Sequence, residues 1–196
     1  SREALKLPEG DTVIALLPGS RKSEISYIAP ALIGAAKLLA KPGRRFVMPV
    51  VPGLRGLIEP MLDGADIQLI DGQSHAALAA CDLTLVASGT ATLEAALFKR
   101  PMVIAYRMNA LNWWRMKGKG LLPWVGLPNI LAREFLVPEL IQHACTPERL
   151  AAEAEALLAD APRRAALHGR FVQLHELLRQ DTAQRASDAI ATLIGA

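Results

Sequence analysis

Short apolar runs alternate with segments of helical periodicity along the first 106 residues of the chain. The runs cover residues 12–17, 46–51, 67–70, 83–87 and 101–106. Short, nearly continuous apolar runs are typical of strands that are buried on both faces. Because helical segments separate them, the pattern predicts a parallel sheet with right-handed crossover connections. We expect the second strand to be irregular, because Pro49 removes a hydrogen-bond donor from it.

The helical segments follow from the spacing of their apolar residues. The first predicted helix has an apolar face made of Ile28, Leu32, Ala35, Ala36 and Leu39. Further helices are predicted at residues 53–62, 74–80 and 90–98, with Ser74 as a cap of the second of these. From Pro147 onwards the pattern is helical, with three apolar stripes. These stripes are Leu150, Ala154 and Leu157; Leu167, Phe171, Leu174 and Leu178; and Ala186, Ala189, Ile190 and Leu193.

Composition and charge exclude several classes of protein. Hydrophobic residues make up 52% of the chain and charged residues 21%, which excludes a disordered chain. The net charge of +3 is small and gives no indication of a nucleic-acid partner. Cys81 and Cys145 fit no metal-ligand spacing, and we interpret both as buried hydrophobic residues. We therefore predict one α/β domain over residues 1–196, with a doubly wound sheet and C-terminal helices, and neither metal nor cofactor.

The first candidate site is Pro18-Gly19-Ser20-Arg21, directly after the first strand. Ligands of doubly wound sheets bind outside the carboxyl ends of the strands. The glycine allows close backbone approach, and the arginine offers a bidentate fork for phosphate. A tight turn with a solvated arginine would explain the same residues. The spacing matches neither a P-loop nor a dinucleotide fingerprint, so ATP and NAD are poorly supported.

The second candidate is Ser88-Gly89-Thr90, which follows the fourth strand. Ser88 or Thr90 can cap the next helix, whose free N–H groups and positive end then suit an anion. Glu94, one turn further, can accept hydrogen bonds from two neighbouring hydroxyl groups, as on a ribose. A plain helix cap with an acidic residue near the positive end is the alternative. Two small-residue loops on strands of one sheet favour the phosphate site.

Three other segments are less specific. The turn from Asp71 to Ser74 could hold a base edge or be a plain turn, and Asn129 is interpreted as a turn or cap residue. Residues 111–124 interleave aromatic and basic side chains, which suits an anionic membrane surface and equally suits core aromatics beside solvated lysines. The residues concerned are Trp113, Trp114, Arg115, Lys117, Lys119 and Trp124.

Three stretches of sequence resemble the C-terminal half of lipid-A-disaccharide synthases. They are LLPGSRKSEI at 16–25, LVASGTATLEAALFKRPMVIAYRM at 85–108, and LPNILA with LVPELIQ within 127–142. The order and spacing of these stretches also match, and the resemblance covers nearly the whole chain. SGTATLEA in this context is the most specific part, whereas PGSR alone is not specific.

The resemblance implies a Rossmann-like domain of a two-Rossmann-domain (GT-B type) glycosyltransferase. Such an enzyme joins UDP-diacylglucosamine to lipid X, giving the lipid A disaccharide and UDP, without a metal. It is cytoplasmic and peripheral on the inner membrane, which the tryptophan-rich segment would contact. The acceptor-binding N-terminal domain, with the general base, is expected to lie outside this chain. The chain alone would then bind UDP or its sugar weakly without turnover, and a homodimer that exchanges C-terminal segments is a further implication.

The resemblance also implies roles for individual residues. Gly19, Ser20, Arg21, Ser88, Gly89 and Thr90 would face the diphosphate. Glu94 would take the ribose hydroxyls, the loop containing Asp71 would meet uracil, and Asn129, Tyr106 and Arg107 would border the sugar cleft. One departure concerns Arg133 and Glu134, which stand where relatives carry a glycine, so that either could face the cleft.

Two other functions remain open. One is a related enzyme of the UDP-N-acetylglucosamine epimerase type, which shares the fold and a similar SG…E element. The segment from LPN to LVPELIQ argues against it. The other is a non-enzymatic module that binds a membrane or a protein through the tryptophan-rich segment.

Overall fold

The computed structural model describes residues 2–109, 113–114 and 123–179, together with Ser187 and Thr192. Six strands form one parallel sheet in the order β3-β2-β1-β4-β5-β6. The strands are β1 (Thr12–Leu17), β2 (Arg44–Val50), β3 (Gln68–Asp71), β4 (Leu83–Ala87), β5 (Met102–Tyr106) and β6 (Glu139–Ile141). This order is that of the Rossmann fold, in which the direction of winding reverses between β1 and β4.

Seven helices connect and flank the strands in the described part of the chain. They are α1 (Lys22–Leu39), α2 (Arg55–Leu62), α3 (Ser74–Ala80), α4 (Thr90–Leu97), α5 (Leu127–Ala132), α6 (Pro147–Ala159) and α7 (Ala161–Leu178). A short 3-10 turn, Gln142–Ala144, follows β6. Helix α1 contacts α2 and α6, whereas α4 contacts α5 and α7. These two groups are those expected when helices cover both faces of the sheet. No helix among the described residues is long and apolar enough to span a membrane.

The predicted doubly wound parallel sheet is confirmed, and the five predicted strands lie within two residues of their expected bounds. The sequence analysis missed β6 and α5, which are only three and six residues long. Ser74 is not a cap, because the cap position is Gln73, in the left-handed region at φ 51°. Of the predicted stripes, Leu178 is 38% exposed, and the one from Ala186 to Leu193 lies outside the described residues.

Pro49 is accommodated because its strand is paired on one side only at that position. The pairing of β2 with β1 ends at Val47, and Pro49 is in register with Ile70 of β3. The missing donor therefore interrupts no ladder to β1. Pro49 therefore lies beyond the last residue of β2 that pairs with β1.

A partly buried ion pair fixes α6 against the start of β2. The Arg44 side chain is 4% exposed and donates to the two carboxylate oxygens of Glu155 at 2.6 and 3.1 Å, and to the Leu39 carbonyl at 3.0 Å. The hydrogen bond from Arg44 lowers the pKa of Glu155 below its ordinary value. Since Arg44 is buried, its charge depends on this carboxylate for compensation.

Glu155→Gln is expected to lower the free energy of unfolding near neutral pH by about 1–2 kcal/mol. This figure allows for solvent screening, since Glu155 is 46% exposed. Because folding lowers the pKa of Glu155, its contribution is present above the ordinary value of 4.5 and is lost as pH falls through the folded value. Urea unfolding at several pH values should therefore show a difference from wild type that shrinks on acidification. Glu148→Gln, at an exposed position on the same helix, is the control and should change little.

Candidate functional site

The site is a cleft at the carboxyl edge of the sheet, at the point where the winding reverses. It has a volume of about 480 Å³ and lies between the loops that follow β1 and β4. Residues 49–52 and 72–74 close one side, and Glu24 and Glu94 contribute carboxylates. This volume is in the range of small-molecule pockets. The structure thus brings the two predicted phosphate loops together in one cleft.

The β1 loop already holds an anion, which is a carboxylate of its own chain. Oxygen Oε2 of Glu24 accepts from the backbone N–H of Ser20 at 3.0 Å and of Arg21 at 3.4 Å. The Arg21 guanidinium donates to Oε1 of Glu24 at 3.2 Å. Two backbone donors and a cation thus converge on one point beside the cleft.

Glu24 was missed as a site residue by the sequence analysis. It stands three residues after Arg21, in the first turn of α1. A glutamate at this spacing, reaching back to the N–H groups before the helix, is the acidic half of a capping box, and that spacing could have identified it. The residues expected to contact phosphate, Ser20 and Arg21, are therefore hydrogen-bonded to Glu24.

Gly19 makes the approach of Glu24 to the loop possible. Its φ is +104°, in the region that favours glycine, and a Cβ at this position would lie 2.6 Å from Glu24 Oε2 and 2.8 Å from Glu24 Cβ. Both the backbone conformation and the lack of space therefore require glycine.

The β4 loop lacks the side-chain cap of α4 that was predicted at Ser88 or Thr90. The cap position of α4 is Gly89, and neither Ser88 nor Thr90 caps the helix with its side chain. Ser88 Oγ instead donates to the Val125 carbonyl at 2.7 Å, and Thr92 Oγ1 donates to the Gly89 carbonyl at 2.7 Å. Thus the Ser88 hydroxyl hydrogen is used within the protein. What this loop offers the cleft is the amino end of α4, where the first N–H groups have no intrahelical acceptor.

Glu94 lines the cleft one turn into α4, as its predicted role requires. Its Oε2 lies 3.3 Å from Nε2 of His75, an exposed residue on α3. The His75 ring is tilted against Phe98, with the ring centroids 5.6 Å apart. The sequence analysis passed over His75 because no metal or catalytic spacing marked it. It gives Glu94 a hydrogen-bond partner that becomes an ion pair when the imidazole is protonated.

The loop after β3 reaches the cleft, but the Asp71 side chain is directed to another partner. Gly72, Gln73 and Ser74 line the cleft. The Asp71 carboxylate accepts from the Arg55 guanidinium at 3.0 and 2.9 Å. A ligand in the cleft would therefore meet this loop through the residues that follow Asp71.

Asn129 lies elsewhere than predicted. It is fully buried in α5, where its side chain donates to Val137 O at 2.9 Å and to Glu139 Oε1 at 2.8 Å, and accepts from Val137 N at 3.0 Å. It is neither a turn residue nor a residue bordering the cleft. A primary amide can satisfy both backbone groups of an irregular segment, which is what Asn129 does for Val137.

Tyr106 is the last residue of β5 and Arg107 follows it; neither belongs to the residues that line the cleft. Tyr106 is partly buried, and its burial together with the negative charge of Glu24 raises the pKa of its phenol. Arg133 and Glu134 do not line the cleft. Arg133 is exposed at the end of α5 with a φ of +56°, and Glu134 forms an ion pair with Arg170 of α7.

The tryptophan-rich segment is described only in part. Trp114 is 74% exposed, whereas Trp113 and Trp124 are partly buried. Trp124 packs edge-on against the exposed Phe135, with centroids 6.0 Å apart. Arg115, Lys117 and Lys119 lie outside the described residues.

A larger concavity of about 980 Å³ lies at the opposite edge of the sheet. Its charged groups are bonded within the protein, including Arg44 to Glu155, Arg2 to Asp82, and Arg100 to the carbonyls of Leu78 and Ala79. No group of three His, Cys, Asp or Glu residues within the described ranges could hold a metal ion. Cys81 and Cys145 are buried as predicted, and burial raises the pKa of Cys81 to about 12.

Comparison with known proteins decides the family. The family model of lipid-A-disaccharide synthetase matches residues 1–193. The chain belongs to this family. The lipid-A-disaccharide synthase of Albidiferax ferrireducens is 51% identical over 205 residues, covering 99% of this chain and 52% of that protein. The chain thus spans about half the length of the curated relatives it matches.

Solved structures confirm the predicted fold. WaaG, a glycosyltransferase involved in lipopolysaccharide biosynthesis, superposes with a TM-score of 0.61 at 14% identity, over 100% of this chain and 50% of that chain. The UDP-GlcNAc 2-epimerase from Neisseria meningitidis bound to UDP-GlcNAc gives a TM-score of 0.59 at 15% identity, over 91% of this chain and 47% of that chain. At these identities the likeness shows the fold alone and does not distinguish a transferase from an epimerase.

Gly19→Ala is expected to lower the free energy of unfolding by about 1–3 kcal/mol, because a side chain there is strained and collides with Glu24. Urea unfolding followed by circular dichroism measures the change. Gly10→Ala is the matched control, since a Cβ at Gly10 meets nothing within 4 Å. Equal stability of the two variants would contradict the close contact between Gly19 and Glu24.

Proposed function

We propose that this chain is the donor-binding part of a lipid A disaccharide-forming glycosyltransferase and binds a UDP-sugar in the cleft between the β1 and β4 loops. The observation that carries the proposal is the bound Glu24 carboxylate. The donors of Ser20 and Arg21 hold an anion at the edge of the cleft, opposite the amino end of α4. Membership of the family supplies the chemical identity of the donor.

The diphosphate occupies the space between the two loops. On one side it replaces the Glu24 carboxylate at the Ser20 and Arg21 donors, and on the other it meets the N–H groups of Gly89 and Thr90. Arginine suits this role because its planar guanidinium can bind a phosphate bidentately. Since the two sides belong to neighbouring strands, one diphosphate can bridge them.

The nucleoside extends along the side formed by the β2 and β3 loops. Glu94 accepts hydrogen bonds from the ribose hydroxyls, and His75 orients the carboxylate. Uracil lies against Gly72, Gln73 and Ser74, where backbone groups read its edge. Tyr106, whose pKa is raised in part by the charge of Glu24, and Arg107, the next residue, would meet the sugar.

The complete protein transfers the sugar from UDP-diacylglucosamine to lipid X, as the family name implies. The binding site for the lipid acceptor and the general base belong to the part of the relatives that this chain does not match. The 196-residue chain therefore binds the donor without turnover. The homodimer and the single-domain boundary over residues 1–196 stay predictions.

Arg21→Ala and Glu94→Ala are expected to weaken UDP binding, each by about tenfold or more, because each loses a charged hydrogen bond. The effect of Arg21→Ala lies at the low end, since this side chain is 80% exposed.

Glu24→Gln is expected to tighten UDP binding about threefold to tenfold, because it removes the competing negative charge. Calorimetric titration of the 196-residue chain measures all three, with Arg149→Ala, exposed on α6, as the control. Unchanged affinity in both alanine variants is incompatible with the proposed site.

Contact with an anionic membrane is a second proposed property. Trp114 is 74% exposed, and Phe135, packed on Trp124, is also exposed. Large exposed aromatic side chains of this kind suit the interface between lipid and water. The membrane in question is the inner membrane, which the resemblance to the family implies.

Trp114→Ala is expected to reduce binding to anionic vesicles severalfold and to leave the affinity for UDP unchanged, because Trp114 is not part of the cleft. Sedimentation with vesicles of anionic and of zwitterionic lipid, alongside calorimetry with UDP, tests both points. Leu38→Ala, an exposed apolar residue of α1, is the control for nonspecific loss of apolar surface. Equal sedimentation of Trp114→Ala and wild type would refute the proposed contact.

A further inference from the structure

The carboxylate of Glu139, at the start of β6, accepts three hydrogen bonds from the segment of residues 125–129. Its Oε2 accepts from the Val125 N–H at 2.9 Å, and its Oε1 accepts from the Gly126 N–H at 2.9 Å and from Asn129 Nδ2 at 2.8 Å. All three donors are neutral amides. The carboxylate is partly buried and acts here as an acceptor for backbone and side-chain N–H groups.

The segment held by Glu139 is itself bonded to the β4 loop. Val125 O accepts from Ser88 Oγ at 2.7 Å. Leu127 N donates to Thr92 Oγ1 at 3.3 Å, and that hydroxyl donates to Gly89 O at 2.7 Å. Residues 125–127 therefore lie between Glu139 on one side and the loop that begins α4 on the other.

Packing leaves this segment little room to shift. A Cβ at Gly126 would lie 2.2 Å from Ile104 Cδ1 of β5 and 3.1 Å from Glu139 Oε1. Gly126 thus packs directly against the side chain of Ile104, which would have to shift if the residue at position 126 had a Cβ. Because the segment is closely packed, a displacement of its backbone at Glu139 would also displace the groups bonded to Ser88 and Thr92.

We propose that Glu139 is a positioning residue for phosphate binding: it holds residues 125–127 so that Ser88 and Thr92 fix the N–H groups of Gly89 and Thr90 towards the diphosphate. This inference rests on the proposed binding of a UDP-sugar in the cleft. Asn129 belongs to the same network and acts on the donor through Glu139. Glu139 does not line the cleft and touches no part of the donor.

Glu139→Gln tests the role of the carboxylate without changing the size of the side chain. The new amide presents N–H groups where one carboxylate oxygen stood. With its oxygen at the Oε1 position, the amide keeps the bonds from Gly126 N–H and Asn129 Nδ2, and its nitrogen then faces the Val125 N–H. One hydrogen bond is lost and two donors oppose each other. The segment must then move away from Glu139, and the β4 loop moves with it.

The experiment compares UDP with uridine as ligands of the 196-residue chain. Uridine carries the base and ribose but no phosphate, so it reports contacts at Glu94 and the β3 loop alone. Glu139→Gln is expected to weaken UDP binding about tenfold and to change uridine binding less than twofold. Thr92→Val, which removes the bonds to Leu127 N–H and Gly89 O at a residue outside the cleft lining, should show the same selective loss. Glu148→Gln on α6 is the matched control for loss of one negative charge.

Each outcome decides one question. If wild type fails to bind UDP, the proposed function is wrong and this inference goes with it. If wild type binds UDP and both variants bind it equally well, only the inference is wrong. A parallel loss of UDP and uridine binding would show a general structural role and would overturn the inference. If Glu139→Gln does not fold by circular dichroism, the ratio of UDP to uridine affinity for Thr92→Val decides the matter.

Discussion

The parallel pairing of β1 with β4 is the constraint on which the rest of the molecule depends. Both strands are buried except at Thr12, and β1 ends at Leu17 in register with Val86, one residue before the end of β4. The chain leaves β1 towards β2 and leaves β4 towards β5, so the two loops diverge from a common edge. This divergence opens the cleft and places Gly19 to Arg21 opposite Ser88 to Thr90. A different neighbour for β1 would separate the two loops, whatever their sequences.

The cleft offers mainly backbone N–H groups as hydrogen-bond donors, and the donors of the β1 loop are bonded to a carboxylate of the protein itself. Glu24 supplies the acceptor for the exposed N–H groups of Ser20 and Arg21. The same carboxylate would repel a phosphate at close range. The proposed phosphate would therefore compete with Glu24 for the same donors, and Gly19 is what allows Glu24 to approach them so closely.

The segment from residue 123 to β6 forms a second layer behind the β4 loop. It carries the contact of Trp124 with Phe135 at the surface and the bonds among Asn129, Val137 and Glu139 inside. Glu139 of the edge strand β6 and Ser88 of the cleft both form hydrogen bonds with the backbone of Val125, and these bonds connect β6 to the cleft. Asn129, which is buried and does not line the cleft, belongs to the same hydrogen-bond network through Glu139.

The sequence by itself determined the buried strands, the major helices and the two loops, because these depend on local apolar patterns and on glycine and small residues at strand ends. It also indicated Glu94, since a carboxylate one turn into a helix keeps its place relative to the helix start. Only the tertiary structure decided the partners of polar side chains. Whether Glu24 reaches back to Ser20, whether Ser88 bonds to Val125, and whether Asn129 turns inward all depend on residues distant in sequence or on the precise path of a loop. Periodicity records which side of an element is buried, but a hydrogen bond requires two groups within about 3 Å, and that distance is set by the packing of the whole fold.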